Sequence, residues 1–248
     1  MARMMIGGEK NRARSIRHCA KPVVACLVFL LAFALAPAYA RDNKSNTGWQ
    51  NDFQSRLEVY AIMQMLNVEL LGSPSATRTL EKWCQTHRLA AAPSIAAQPV
   101  LGDNKPPSQE QMQRLEVTGP EQVKHRKVRL FCGDQLLSEA DNWYVPGRLT
   151  ADMNRLLETT QTPFGKVVAP LEPYRQTISV KMLWSPLPEG WEMGNPVHKI
   201  KLIKQPLTIP DALFEHRAVV YGKDRKPIAE VHEVYQSQIL AAPKRNQH

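Results

Sequence analysis

Lys124-His125-Arg126-Lys127-Val128-Arg129-Leu130-Phe131-Cys132, a Gly133-Asp134 turn, Leu136-Leu137, and then Trp143-Tyr144-Val145-Pro146 form the stretch that decides the fold. Apolar side chains alternate on both sides of a glycine-containing turn, the pattern of an antiparallel hairpin. Alternation also sorts the faces. Arg126, Val128, Leu130 and Cys132 share one face, while Lys127, Arg129 and Phe131 share the other. The first face is apolar except for Arg126, so that guanidinium points to the core side, where it needs a partner or an anionic ligand.

A second hairpin ends the chain. Arg217 to Tyr221 leads in, Gly222-Lys223-Asp224-Arg225-Lys226-Pro227 turns, and Ile228 to Tyr235 returns. Both hairpins begin with His-Arg, at 125–126 and at 216–217. On the return strand Ala229, Val231, Glu233 and Tyr235 share a face, which sets Glu233 among apolar neighbours. A carboxylate desolvated in this way holds its proton more readily and can act as a donor. The alternative is a structural ion pair between Arg126 and Glu233.

Upstream lie helices. From Asp52 to Leu71, apolar residues recur at helical spacing until Gly72-Ser73-Pro74 stops them. Ser75 is placed to cap a second helix, Ala76 to His87. Residues 90–108, rich in Ala, Pro and Gly, read as a loop. Thr150 is placed to cap a further helix carrying Met153, Leu156 and Leu157, and Thr162-Pro163-Phe164-Gly165 reads as a turn. Residues 166–169, 174–183 and 197–203 are strand-like, 184–196 an irregular loop, and 207–213 a connector. Helices first and antiparallel hairpins after give an α+β class rather than alternating βαβ units.

The first 40 residues stand apart. Arg3, Lys10, Arg12, Arg14, Arg17 and Lys21 precede the uncharged run Val23 to Ala36, and Ala38-Tyr39-Ala40 follows Pro37. This is the plan of a signal peptide cleaved after Ala40, with an uncleaved anchor as the alternative. A spanning helix needs about 20 apolar residues, and this run is shorter. The expected organisation is a leader at 1–40, a polar start at 41–51, one domain at 52–240 and a polar tail at 241–248. The leader holds six basic residues and one acid, so a chain of net charge +9 leaves 26 basic and 22 acidic residues, +4, in the remainder. The basic balance belongs largely to the leader and does not argue for nucleic acid. The membrane enters only during export. Cys84 and Cys132 remain after cleavage, either as a disulfide in an oxidising compartment or as two buried thiols.

Other chemistry is weakly signalled. Seven histidines include no metal-binding spacing, and no serine sits in a nucleophile-elbow motif.

Arg126-Lys127-Val128-Arg129-Leu130-Phe131, the Gly-Asp turn, Trp143-Tyr144-Val145-Pro146, Thr162-Pro163-Phe164-Gly165 and Lys226-Pro227 with Glu233 downstream together resemble chorismate lyase and its superfamily, which includes effector-binding domains of bacterial transcription regulators. The resemblance covers about residues 60–240. It implies an antiparallel sheet with helices packed on it, enclosing a pocket for a small carboxylate, with no metal and no cofactor. In the family's reaction pyruvate is eliminated from chorismate to leave 4-hydroxybenzoate. The resemblance implies that Arg126 binds carboxylate, that Glu233 lies at the reacting end and that the 162–165 turn lends backbone hydrogen bonds. It departs from the family at Phe164 for Leu, Ala76 for Met and Asp141 for Gly. Three readings follow: a lyase, a non-catalytic binding or sensing domain, and an envelope-associated protein that keeps only the fold.

Overall fold

The computed structural model describes residues 48–193 and 205–241. Eleven regular elements position the site. Helix α1 (Phe53–Leu71) starts where the Asp52 carboxylate accepts from the Ser55 N–H at 2.7 Å and ends at Gly72. Val59, Met63, Leu66 and Leu70, three or four residues apart, are its buried stripe. Helix α2 (Ala76–Thr86) is capped by Ser75, whose hydroxyl accepts from the Arg78 N–H, and it buries Leu80, Trp83 and Cys84.

The sheet has six antiparallel strands. They are β1 (Ile95–Pro99), β2 (Lys124–Cys132), β3 (Gln135–Tyr144), β4 (Tyr174–Met182), β5 (Ala212–Tyr221) and β6 (Pro227–Gln236), in the order β1-β2-β3-β6-β5-β4. Both expected hairpins form, β2–β3 and β5–β6, and they join through β3 and β6, where Ala140 faces Glu233. This is the expected α+β architecture.

Short helices α3 (Gln109–Arg114), α4 (Ala151–Thr159) and α5 (Phe164–Val167) complete the set. Thr150 caps α4, its Oγ1 accepting from the Met153 N–H at 3.2 Å. The side of the sheet carrying Val128, Ala140 and Tyr235 packs against α1 and α2, and its other end, carrying Tyr144, Ala218 and Val231, packs against α4 and α5. Core burial of this kind stabilises by about 1.5–3 kcal/mol per large apolar side chain.

Several expectations need correction. The 90–108 segment is not all loop, because Ile95–Pro99 pairs with β2 as an edge strand, Ala97 opposite Leu130. Its Ala-Pro composition lacks strand character, and pairing with β2 supplies what propensity does not. Residues 166–169 are not a strand. They run through the end of α5 into a 3-10 turn at Ala169–Leu171, since a four-residue apolar run does not fix a period. Helix α3, closed by a Ser108–Gln111 capping box, had no counterpart in the sequence reading. Segment 197–203, most of the 241–248 tail and the whole leader lie outside the described residues.

The likeness of the two His-Arg starts does not extend to their faces. In β2 the Arg points inward, with Arg126 buried. In β5 it is His216 that is buried, at 0% exposure, and Arg217 that is exposed. A one-residue difference in register puts opposite members of the pair in the core.

Candidate binding cavity

Between α2, α5 and the sheet lies a cavity of about 40 Å³. Ser75, Ala76 and Thr77 at the start of α2 form one wall, Phe164, Gly165 and Val168 another, and Val128, Leu130, Ala140, Asn142, Val220, Val231 and Glu233 the floor, with Arg175 at the side. The α5 wall stands close because Gly165 lacks a side chain. A Cβ there would come within 2.8 Å of both Ser75 Oγ and Thr77 Oγ1. The first N–H groups of a helix have no intrahelical acceptor and carry partial positive charge, so the α2 wall favours an anion.

Arg175 is the side chain that sequence reasoning missed. It sits on β4 opposite Val220, with a side chain only 3% exposed. Its Nη1 lies 2.6 Å from Glu233 Oε2, which also accepts from the Tyr235 hydroxyl at 2.9 Å. Burial would lower the Arg175 pKa, but the charge of Glu233 and the contact with Tyr235 outweigh it and raise it. Burial, then the nearby Glu233 charge, holds the Tyr235 hydroxyl well above the usual phenol range. Arg175 Nε and Nη2 are buried with no partner in the protein. These two nitrogens form one edge of the guanidinium, the fork that takes a carboxylate bidentately.

His216 backs this cluster, opposite Glu233 in the β5–β6 register and edge-on to the Tyr235 ring. Its Nε2 is 2.8 Å from Asn67 Oδ1, which makes Nε2–H the donor, and Nδ1 is buried without a partner. Burial, then the charge of Arg175, lowers its pKa from 6.5 to about 4.

No protein-family model matches the chain. It is 42% identical over 224 residues to the uncharacterized protein y4mC of Sinorhizobium fredii (strain NBRC 101917 / NGR234), a match spanning 89% of this chain and 93% of that protein. The chain belongs to the y4mC family. Solved structures similar to part of it include the effector domain of PhnF from Mycobacterium smegmatis, at 11% identity over 66% of this chain and 89% of that one with a TM-score of 0.42. Another is the ligand-binding domain of a putative GntR-family transcriptional regulator from Bordetella bronchiseptica, at 14% identity over 58% and 83% with a TM-score of 0.37.

In this y4mC-family chain the residues singled out from sequence are only partly brought together. Glu233, Ala76 and Phe164 line the one cavity. Arg126 does not. It shares the inner face but is two strands from Glu233 in sheet order, and the two make no ion pair. Its Nη2 donates to the carbonyls of Thr160 and Thr162 at 3.3 and 3.4 Å, and Nε and Nη1 are buried and unpartnered. Burial lowers its pKa. Because Nη2 is taken, Arg126 offers no free Nε–Nη2 fork.

Asp141 is on the opposite face. It accepts from His125 Nε2 at 2.7 Å and from Lys105 Nζ at 3.1 Å, so its charge is directed away from the cavity and neutralised there. A single-residue alternation from Asn142, which does line the cavity, explains the difference. Cys84 and Cys132 are joined, with Cα atoms 6.1 Å apart, tying α2 to β2. Ala40 lies outside the described residues. Arg175 was legible in principle as the inward charge of an edge strand, but β4 is largely exposed and its apolar alternation is weak.

Proposed function

We propose that this protein binds a small carboxylate in the α2–α5 cavity, with Arg175 as the anchor, on a fold of the chorismate lyase type. The observation that carries the reading is the unpartnered Nε–Nη2 edge of Arg175, buried at the wall of a cavity that also has a helix N-terminus. Glu233 balances the charge of Arg175, but three buried N–H donors left unmet are costly unless an acceptor such as a carboxylate meets them. Its Nη1 is already fixed by Glu233, so the fork is preorganised and a ligand pays little to order it.

Glu233 was the candidate proton donor for pyruvate elimination. Here its Oε2 accepts from Tyr235 and pairs with Arg175. That is the arrangement of a carboxylate that positions its neighbours, and it supports binding over turnover. No metal or cofactor enters the reading.

We also propose that the protein works outside the cytoplasm. The basic and apolar plan of residues 1–40 and the bond between Cys84 and Cys132 support export.

The test is titration of the purified chain with acetate, propionate and pyruvate, followed by heat release, beside an Arg175→Gln variant. Saturable binding that vanishes in the variant supports the reading. Chorismate is added separately, and release of pyruvate and 4-hydroxybenzoate would replace binding with catalysis. Mature protein beginning at Arg41 in the host's envelope fraction would support export.

A further inference from the structure

We infer that the ligand is a hydroxy acid, a carboxylate with a hydroxyl next to it, and that the Asn142–Glu233 side of the cavity reads the hydroxyl. This deepens the proposed function and rests on it.

The cavity has two chemically distinct halves. Arg175 presents only donors, and the first turn of α2 adds backbone N–H groups beside the Ser75 and Thr77 hydroxyls. Asn142 and Glu233 present acceptors. Asn142 Nδ2 donates to the Arg126 carbonyl at 3.3 Å, which fixes the amide and leaves Oδ1 without a protein partner. Glu233 uses Oε2 for both Tyr235 and Arg175, and Oε1 takes part in neither contact. The two residues are neighbours. Ala140 faces Glu233 and Asn142 faces Val231, so they are a diagonal pair on adjacent strands, about 7–8 Å apart at the backbone and within reach of one hydroxyl.

A ligand that is only an anion would meet the donors of Arg175 and bring no donor to Asn142 Oδ1 or Glu233 Oε1. A buried polar group left unpaired weakens binding by roughly tenfold or more. A hydroxyl donates to one acceptor and relieves that cost. The charge balance agrees. Glu233 is neutralised by Arg175, and the α2 N-terminus adds only partial positive charge, so a monoanion suits the site better than a dianion.

Phe164, itself buried, forms one wall of the cavity.

The experiment is calorimetric titration of the full-length chain with glycolate, L-lactate, propionate and 4-hydroxybenzoate, repeated on Asn142→Leu. Glycolate or lactate should bind at least tenfold more tightly than propionate. In Asn142→Leu the preference for glycolate or lactate over propionate should shrink to within about threefold, whatever the variant's absolute affinity. If that variant loses propionate as well, the wild-type ratio alone decides. Propionate binding as tightly as the hydroxy acids, or 4-hydroxybenzoate binding more tightly than any of them, overturns the inference while leaving a carboxylate site in place. Binding of none of the four acids removes both.

Discussion

Arg175 Nη1 and Glu233 Oε2 are 2.6 Å apart, although their strands, β4 and β6, are separated by β5. The arginine spans the intervening strand on the inner face of the sheet. Both side chains are more than nine-tenths buried. Removing one partner therefore leaves a charge stranded in the core. Arg175→Met should destabilise the fold by about 3–5 kcal/mol. Arg175→Met combined with Glu233→Leu should recover much of that loss, because an apolar pair leaves no stranded charge. Urea unfolding of the two variants checks this. Equal losses in both would mean that packing rather than charge holds the cluster together.

His216 makes stability depend on pH. An unfolded histidine takes up a proton near pH 6.5, whereas in the fold His216 does so only near 4. Between those values the unfolded chain binds more protons, so the stability contributed by neutral His216 is complete above about 6.5 and is lost as pH falls toward 4. The loss is about 3 kcal/mol. The difference in unfolding free energy between the wild type and His216→Gln, measured from pH 7 to pH 4, should narrow by that amount. A constant difference would mean that His216 does not carry the effect.

The bond between Cys84 and Cys132 closes a segment of 48 residues between α2 and β2. Constraint of the unfolded chain by a loop of this length contributes about 2–4 kcal/mol. Cys84→Ser, or reduction of the wild type, should lower the unfolding free energy by that amount, and reductant should have no further effect on the variant. Because α2 carries the anion-facing wall, ligand affinity should weaken in parallel.

Gly165→Ala tests how closely α5 must approach α2. The new methyl would meet Ser75 Oγ and Thr77 Oγ1 at 2.8 Å. The walls must move apart at a cost of about 1–3 kcal/mol. A lowered melting temperature together with weakened carboxylate binding is expected. Asp141→Asn, whose partners are on the other face, should leave binding unchanged.

Much of the fold could be read from the residues because two hairpins carry strong local signals: alternation, a glycine turn at Gly133 and a Lys-Pro return at 226–227. The capping residues Asp52, Ser75 and Thr150 likewise mark where α1, α2 and α4 begin. What was not legible depends on pairing at a distance. β1 is a strand only because β2 accepts it. The Arg126–Glu233 juxtaposition failed for a related reason. Face can be read from alternation, but which side chain reaches a given neighbour across the sheet cannot: β2 and β4 each lie two places from β6, and it is Arg175 of β4, not Arg126 of β2, that extends to Glu233. Asp141 went astray by one step of the pleat.

The most direct test of the central claim is the heat of binding of L-lactate to the purified chain, compared between the wild type and Arg175→Gln, with circular dichroism to establish that both are folded. Saturable, stoichiometric binding to the wild type and at least a hundredfold loss in the folded variant are expected, since a bidentate charged contact is removed. Equal binding to both proteins would place the ligand elsewhere and contradict the assignment of Arg175.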